Sequence, residues 1–208
     1  MIYGVCGFIG SGKDTVADYL VSNHNFVRES FAGTLKDAVA SIFGWDREML
    51  EGRTSEARAA RDVVDQWWAT RLGNPKITPR YILQIFGTEV CRRNLHDDIW
   101  IASVEHKLRN ETRDVIISDC RFPNEIKTIR SLGGKILRVQ RGPEPDWYET
   151  AVATNRGEIE GMNLRSDVHP SEWSWAGTDF DAVLDNNGTI EGLYSQIKSL
   201  VASRPAST

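Results

Sequence analysis

At 208 residues the chain is long enough for a full hydrophobic core and fits one domain, residues 1–208. Its 40% apolar and 26% charged residues are those of a globular protein, and no apolar run approaches membrane-spanning length. A formal charge of −4 argues against stable nucleic-acid binding, which wants a basic surface, although a local basic cleft is compatible with it. Cys6, Cys91 and Cys120 are odd in number and lack CxxC spacing, which argues against a disulfide framework or a zinc site and fits a reducing cytoplasm. Cys6 and Cys120 stand beside expected strands and read as small buried hydrophobes.

The N-terminus reads as a strand, Ile2-Tyr3-Gly4-Val5-Cys6, not a signal peptide. Gly7-Phe8-Ile9-Gly10-Ser11-Gly12-Lys13-Asp14-Thr15 follows, and then a helical pattern with Val16, Tyr19 and Leu20 on one face. Strand, Gly-rich loop and helix are the context of a phosphate-binding loop. The glycines let backbone N–H groups turn inward around an anion, Lys13 adds a mobile positive charge, and the helix N-terminus adds its dipole. Gly10, Ser11, Gly12, Lys13, Asp14 and Thr15 are therefore candidates for holding a nucleoside polyphosphate. Asp14 stands where a Mg²⁺-binding hydroxyl often follows the lysine, and Thr15 comes one later; this shift points towards small-molecule kinases.

Residues 26–31 read as a short strand. Residues 34–43 read as a helix with Leu35, Ala38, Val39, Ile42 and Phe43 on one face, Lys36 on its polar side and Gly44 as its stop. Residues 45–77 are rich in Arg and Glu and carry Trp67 and Trp68 in a helix that Gly73-Asn74-Pro75 ends. Thr78-Pro79 starts another helix, whose Ile82, Ile85, Phe86 and Val90 suit a core face. Arg80, Gln84 and Thr88 form a polar row on a different face, and Gly87 beside it leaves room for a ligand to approach the backbone. Asp97 or Asp98 can cap the next helix, with its stripe of Trp100, Ile101, Val104 and Leu108.

Val115-Ile116-Ile117 is a β-branched run, as in a buried parallel strand, and it ends in Ser118-Asp119-Cys120-Arg121. A helix from Pro123 to Gly133, a strand at 136–139, and a last strand and helix around Asn186-Asn187-Gly188 complete an α/β alternation, which predicts a mostly parallel sheet flanked by helices. Between Gly142 and Gly177 the pattern is lost among three prolines and three tryptophans, so residues 142–177 are expected to act as a lid. The tail at 203–208 reads as frayed.

Ligands of such sheets sit at the carboxyl ends of the strands. Asp119 is placed there to hold Mg²⁺ directly or through water. Arg121 is placed there to neutralise a transferring phosphoryl group or to clamp an acceptor phosphate, and Lys13, Arg121 and Asp119 are the catalytic candidates. The metal candidates are Asp14, Thr15 and Asp119. Arg141 ends the next strand, where it reaches ATP or stays solvated. Glu125 has the chemistry to complement its helix dipole. His169 and Glu172 read as structural or lid-ordering groups, because a phosphate acceptor is already anionic near neutral pH and needs no general base.

Several segments together are similar to the deoxynucleoside monophosphate kinases of tailed bacteriophages, within the P-loop nucleoside monophosphate kinase superfamily. They are residues 11–18, 32–38 and 83–89, Asp119-Cys120-Arg121 with Glu125, Val139-Gln140-Arg141, His169-Pro170-Ser171-Glu172, and Asp185-Asn186-Asn187-Gly188. Their order is kept over most of the chain, while residues 45–79 and 142–165 match poorly. The resemblance implies a P-loop NTPase fold with a substrate-covering helical region at 45–79 and a lid. It implies transfer of the ATP γ-phosphate to a deoxynucleoside monophosphate with Mg²⁺, in the host cytoplasm if phage-encoded. It also implies that the Lys36 region and the Gln84–Thr88 helix bind the monophosphate, so that Lys36, Arg80, Gln84, Gly87, Thr88 and Arg121 are the acceptor-site candidates. A homodimer is compatible with the sequence. The rival readings are a P-loop kinase of another metabolite, such as dephospho-coenzyme A, and a nucleotide-dependent switch without a small acceptor.

Overall fold

A computed structural model describes residues 1–202; the tail at 203–208, read as frayed, lies outside the described residues. The chain divides into two compact units, Met1–Ser30 with Glu105 onward, and Phe31–Val104. In chain order the first unit opens with β1 (Ile2–Cys6), α1 (Lys13–His24) and β2 (Val27–Glu29). The second holds α2 (Gly33–Phe43), α3 (Arg47–Glu51), α4 (Ser55–Ala60), α5 (Gln66–Leu72), α6 (Pro79–Gln84) and a π-helix over Ile85–Arg92. Helix α7 (Ile99–Asn110) leads back to the first unit. There follow β3 (Val115–Ile117), α8 (Pro123–Ser131), β4 (Lys135–Gln140), α9 (Tyr148–Asn155), a 3₁₀ turn at Gly161–Leu164, α10 (Pro170–Trp173), β5 (Ala182–Asp185) and α11 (Ile190–Ala202).

All sheet pairings are parallel, in the order β2-β3-β1-β4-β5. The alternation of β1 explains its central place. Tyr3 and Val5 face Val16, Ala17 and Leu20 of α1 and Leu193 and Ile197 of α11. Gly4 faces the other way, where a Cβ would stand 2.5 Å from the Ile129 side chain of α8. Helices thus cover both faces, as the β-branched run of β3, buried at every position, requires. With β1 between β3 and β4, the carboxyl ends of these three strands open a crevice of the kind that receives ligands in open α/β sheets. No helix among the described residues is long and apolar enough to cross a membrane.

The second unit buries Phe31, Val39, Leu50, Ala69, Ile77, Cys91, Trp100, Ile101 and Val104. Its helix starts follow local chemistry: Asp46, Thr54, Asp65 and Thr78 each accept a backbone N–H through the side chain, and Pro79 occupies a first-turn position. Ile42, expected on the core face of α2, is 52% exposed. The helix begun at Thr78 also departs from expectation. Beyond Gln84 its ladder widens to a five-residue step, with the Arg93 N–H on the Thr88 carbonyl. The wider turn rotates the face, so Gly87 and Cys91 are buried while Val90 is exposed.

Candidate active site

The turn from β1 to α1 needs backbone that only glycine adopts easily. Gly12 has φ 105°, and a Cβ on it would stand 2.4 Å from Nδ2 of Asn186, so space and torsion both demand glycine. Asn186 uses that closeness: its Nδ2 donates to the Ser11 carbonyl at 2.7 Å and ties the loop to the end of β5. Helix α1 starts at Lys13 with no side chain capping it, so the N–H groups of its first turn are open to an anion. Ser11 is buried and its hydroxyl lacks a protein partner.

Lys13 was read from the sequence as a mobile positive charge. It is half-buried instead, and its Nζ donates to the Gly7 and Phe8 carbonyls at 2.8 Å each. Burial and then the neighbouring Arg121 guanidinium lower its pKa from the ordinary lysine value. Two like charges at this point make an incoming anion favourable. Arg121 is held in turn: Nη1 donates to Glu172 Oε1 at 2.8 Å and to Ser171 Oγ at 3.4 Å. Its backbone N–H donates to Glu125 Oε2 at 2.7 Å, and the same oxygen takes the Phe122 N–H at 3.0 Å, so Glu125 anchors the start of α8. His169 caps α10, accepting the Ser171 N–H at 3.2 Å through Nδ1.

Among the metal candidates, Asp14 departs from expectation. Its Oδ1 is paired with Arg28, which also reaches Asp18 at 2.7 Å and Ser118 Oγ at 2.7 Å. A carboxylate neutralised by a guanidinium is a poor cation ligand, and the three-way contact joins α1 to the ends of β2 and β3. Thr15 lines the site cavity, and Asp119 is half-buried two residues past β3. No group of three or more metal-ligating side chains occurs among the described residues.

The cavity, about 430 Å³, is lined by Gly10, Gly12, Lys13, Asp14, Thr15, Arg141, Asn186, Gly188 and Ile190. It brings every loop candidate except Ser11 together with Arg141. Asn186 stood in a recognisable segment without an assigned role, Glu172 was read as a structural or lid-ordering group, and Arg28 and Ser118 carried no signal at all. The Asn186-Asn187-Gly188 turn after a parallel strand was the usable clue. Residues 142–177 are anchored rather than loose at their ends. Phe8 of the loop packs on Trp175, Trp147 and Tyr148 with ring centroids 4.9, 5.5 and 6.1 Å away, and buried Arg138 of β4 donates to the Tyr148 hydroxyl at 2.9 Å.

The acceptor-site candidates, Arg121 apart, lie on the second unit. Lys36 Nζ donates to Glu51 Oε1 at 2.8 Å. Burial would raise the Glu51 carboxyl, but hydrogen bonds from Lys36 and Arg47 prevail and bring it down to about 2. Arg80 spans both carboxylate oxygens of Asp62. Gln84 and Thr88 are exposed. Gly87 does not leave room for a ligand: a Cβ there would stand 2.9 Å from Leu35, and its carbonyl accepts the Trp100 indole N–H at 3.0 Å. Its missing side chain serves helix packing.

An uncapped helix start beside two cations, at the carboxyl edge of a parallel sheet, suits a polyphosphate and the movement of its terminal phosphoryl group; the chain has the fold of a P-loop kinase. The model of the deoxynucleotide monophosphate kinase family matches residues 61–197, and the chain belongs to that family. It is 32% identical over 97% of its length to a protein of Acanthamoeba polyphaga mimivirus assigned as a deoxynucleotide monophosphate kinase, covering 96% of that protein. It is 28% identical to the deoxynucleoside-5′-monophosphate kinase of Escherichia phage T5, over 83% of this chain and 84% of that one. Among solved structures, dephospho-CoA kinase from Campylobacter jejuni shares the fold, with a TM-score of 0.50 at 14% identity over 97% of this chain and 95% of its own.

Proposed function

We propose that this chain transfers the γ-phosphoryl group of ATP to the phosphate of a deoxynucleoside monophosphate, giving the diphosphate and ADP. The observation that carries the reading is the convergence of Lys13 and Arg121 at an uncapped Gly-rich loop in a member of this family. The first-turn amides of α1 and Lys13 hold the β- and γ-phosphates, Lys13 exchanging the Gly7 and Phe8 carbonyls for phosphate oxygens. Adenosine extends along Arg141, Asn186, Gly188 and Ile190. An anionic oxygen of the acceptor phosphate attacks the γ-phosphorus, and the bond to the β–γ bridging oxygen breaks, releasing ADP. Arg121 neutralises charge on the group in transit. No base is required, in keeping with the capping role of His169.

Thr15, which lines the cavity, and Asp119, two residues past β3, would hold Mg²⁺, which takes one or two protein ligands and completes its shell with phosphates and water. When bound with ATP, the ion supplies charge neutralisation across the β- and γ-phosphates. On the second unit Lys36, Arg80, Gln84 and Thr88 are assigned to the acceptor. The test is ADP release with ATP and a panel of dNMPs, NMPs and dephospho-coenzyme A. Turnover with dNMPs is expected, and turnover with dephospho-coenzyme A alone would reverse the assignment.

A further inference from the structure

Phe8 puts an aromatic side chain into a loop whose anion site is made of backbone amides and Lys13. Amides that bind phosphate ask nothing of a ring at that position. The next residue, Ile9, is 76% exposed, whereas Phe8 turns back and is half-buried. Its ring centroid lies 4.9 Å from Trp175, 5.5 Å from Trp147 and 6.1 Å from Tyr148. Those rings are braced from behind. The guanidinium of buried Arg138 lies 4.7 Å from the Tyr148 centroid and 5.3 Å from that of Trp175, and it pairs with Glu144. A desolvated cation over two rings favours one arrangement of them.

The partners of the Phe8 ring belong to one stapled piece. Trp147 and Tyr148 open α9, and Trp175 lies two residues past the end of α10. Asn155, the last residue of α9, donates through Nδ2 to the Trp173 carbonyl at 3.0 Å and to the Ala176 carbonyl at 2.9 Å. The stretch around Trp175 is thereby fixed to α9. Helix α10 has four residues and cannot hold its own orientation, so its Glu172 is aimed by that anchorage. Glu172 Oε1 in turn takes Arg121 Nη1 at 2.8 Å. Through its backbone Phe8 meets the other cation, since its carbonyl accepts Lys13 Nζ at 2.8 Å and the Ser11 N–H at 3.2 Å. One loop residue therefore touches Lys13 directly and reaches Arg121 through Trp175 and Glu172.

We propose that Phe8 is a positioning residue for both cations of the site: its carbonyl holds Lys13 in the empty loop, and its ring, through Trp175 and α10, keeps Glu172 on Arg121. The proposal rests on the kinase reading above and adds a residue that reading does not contain.

A double-mutant cycle on kcat tests it, at saturating ATP and dNMP, with Phe8→Leu, Glu172→Gln and the two combined. Phe8→Leu keeps an apolar side chain and the carbonyl but removes the ring. It is expected to lower kcat roughly tenfold, with a much smaller change in the KM for dNMP. Adding Glu172→Gln to it should cost no more than about twofold further, because the hold on Arg121 is already lost. Phe8→Met, flexible and without a ring, takes its place in the cycle if the Leu variant does not fold. Two losses that multiply in full overturn the proposal and leave the kinase reading standing. So does a Phe8 variant that melts lower yet turns over at the wild-type kcat. A wild type that phosphorylates no dNMP defeats that reading and the proposal together.

Discussion

Lys13 is half-buried and bonded to two loop carbonyls, so it supports the empty loop as well as the nucleotide. Removing it costs the loop about 1 kcal/mol per lost bond and removes a charge from the transferring phosphates. Lys13→Ala is expected to lower kcat by roughly 10²-fold or more while melting only a few degrees lower. Single-turnover assays and thermal melts check both, and normal turnover would end the phosphate-loop assignment. Arg121 differs from a lysine in geometry: its planar guanidinium is held on Glu172 and Ser171 through Nη1. Arg121→Lys is expected to cut kcat, approaching roughly 10³-fold, with ATP KM little changed. A loss of thermal stability alone would reduce Arg121 to a surface ion pair. Gln84 is exposed on α6, and its amide both donates and accepts, which suits a base edge. Gln84→Ala should reorder the dNMP substrates, and an unchanged ranking would place base reading elsewhere.

Short elements here act through what they hold. Helix α10 has four residues and no stability of its own, yet it carries Ser171 and Glu172 to Arg121. Glu172→Gln keeps the shape and weakens the charge pairing that aims the guanidinium. The expected result is a fall of roughly tenfold in kcat with little change in either KM; an equal rise in both KM values would mean that α10 shapes binding instead. The π-helix after α6 shows a different constraint. Continuing α-helical spacing places Val90 inward, whereas the packing of Gly87 on Leu35 and the Trp100 bond to its carbonyl accompany a wider turn that buries Cys91 instead. Such a turn reflects tertiary contacts and leaves no local trace in the sequence.

Over the whole molecule, acid stability should report on the second unit. Glu51 has its pKa lowered from 4.5 to about 2 by Lys36 and Arg47, against the opposing effect of burial. A depressed carboxyl stabilises the fold fully above the unfolded value and loses that contribution as pH falls towards the folded one. The loss should lie between about pH 4.5 and 2 and amount to on the order of 2 kcal/mol after solvent screening. Glu51→Gln should flatten the denaturation profile in that window, and an unchanged slope would show that the pairing contributes nothing. Residues 142–177 are fixed at the Phe8–Tyr148–Trp175 cluster and at buried Met162, so any covering motion belongs to the largely exposed stretch at 163–169. Amide exchange there should slow when a two-substrate mimic binds, with the cluster protected throughout. Equal exchange in both states would leave the stretch a passive insertion.

The phosphate loop, the alternation of strands and helices, and the caps at Thr78-Pro79, Gly44 and Gly73 were legible in the sequence by itself. Each depends on torsions, periods or capping groups within a few neighbouring residues. The order of the sheet and the use of each charge were decided only by the tertiary structure. Asp14 meets Arg28, Lys36 meets Glu51, Arg80 meets Asp62 and Arg121 meets Glu172 at separations of 14, 15, 18 and 51 residues. Residue type fixes a charge but not its partner. Among so many arginines and acids, only the folded chain separates those committed to each other from Lys13, held by carbonyls.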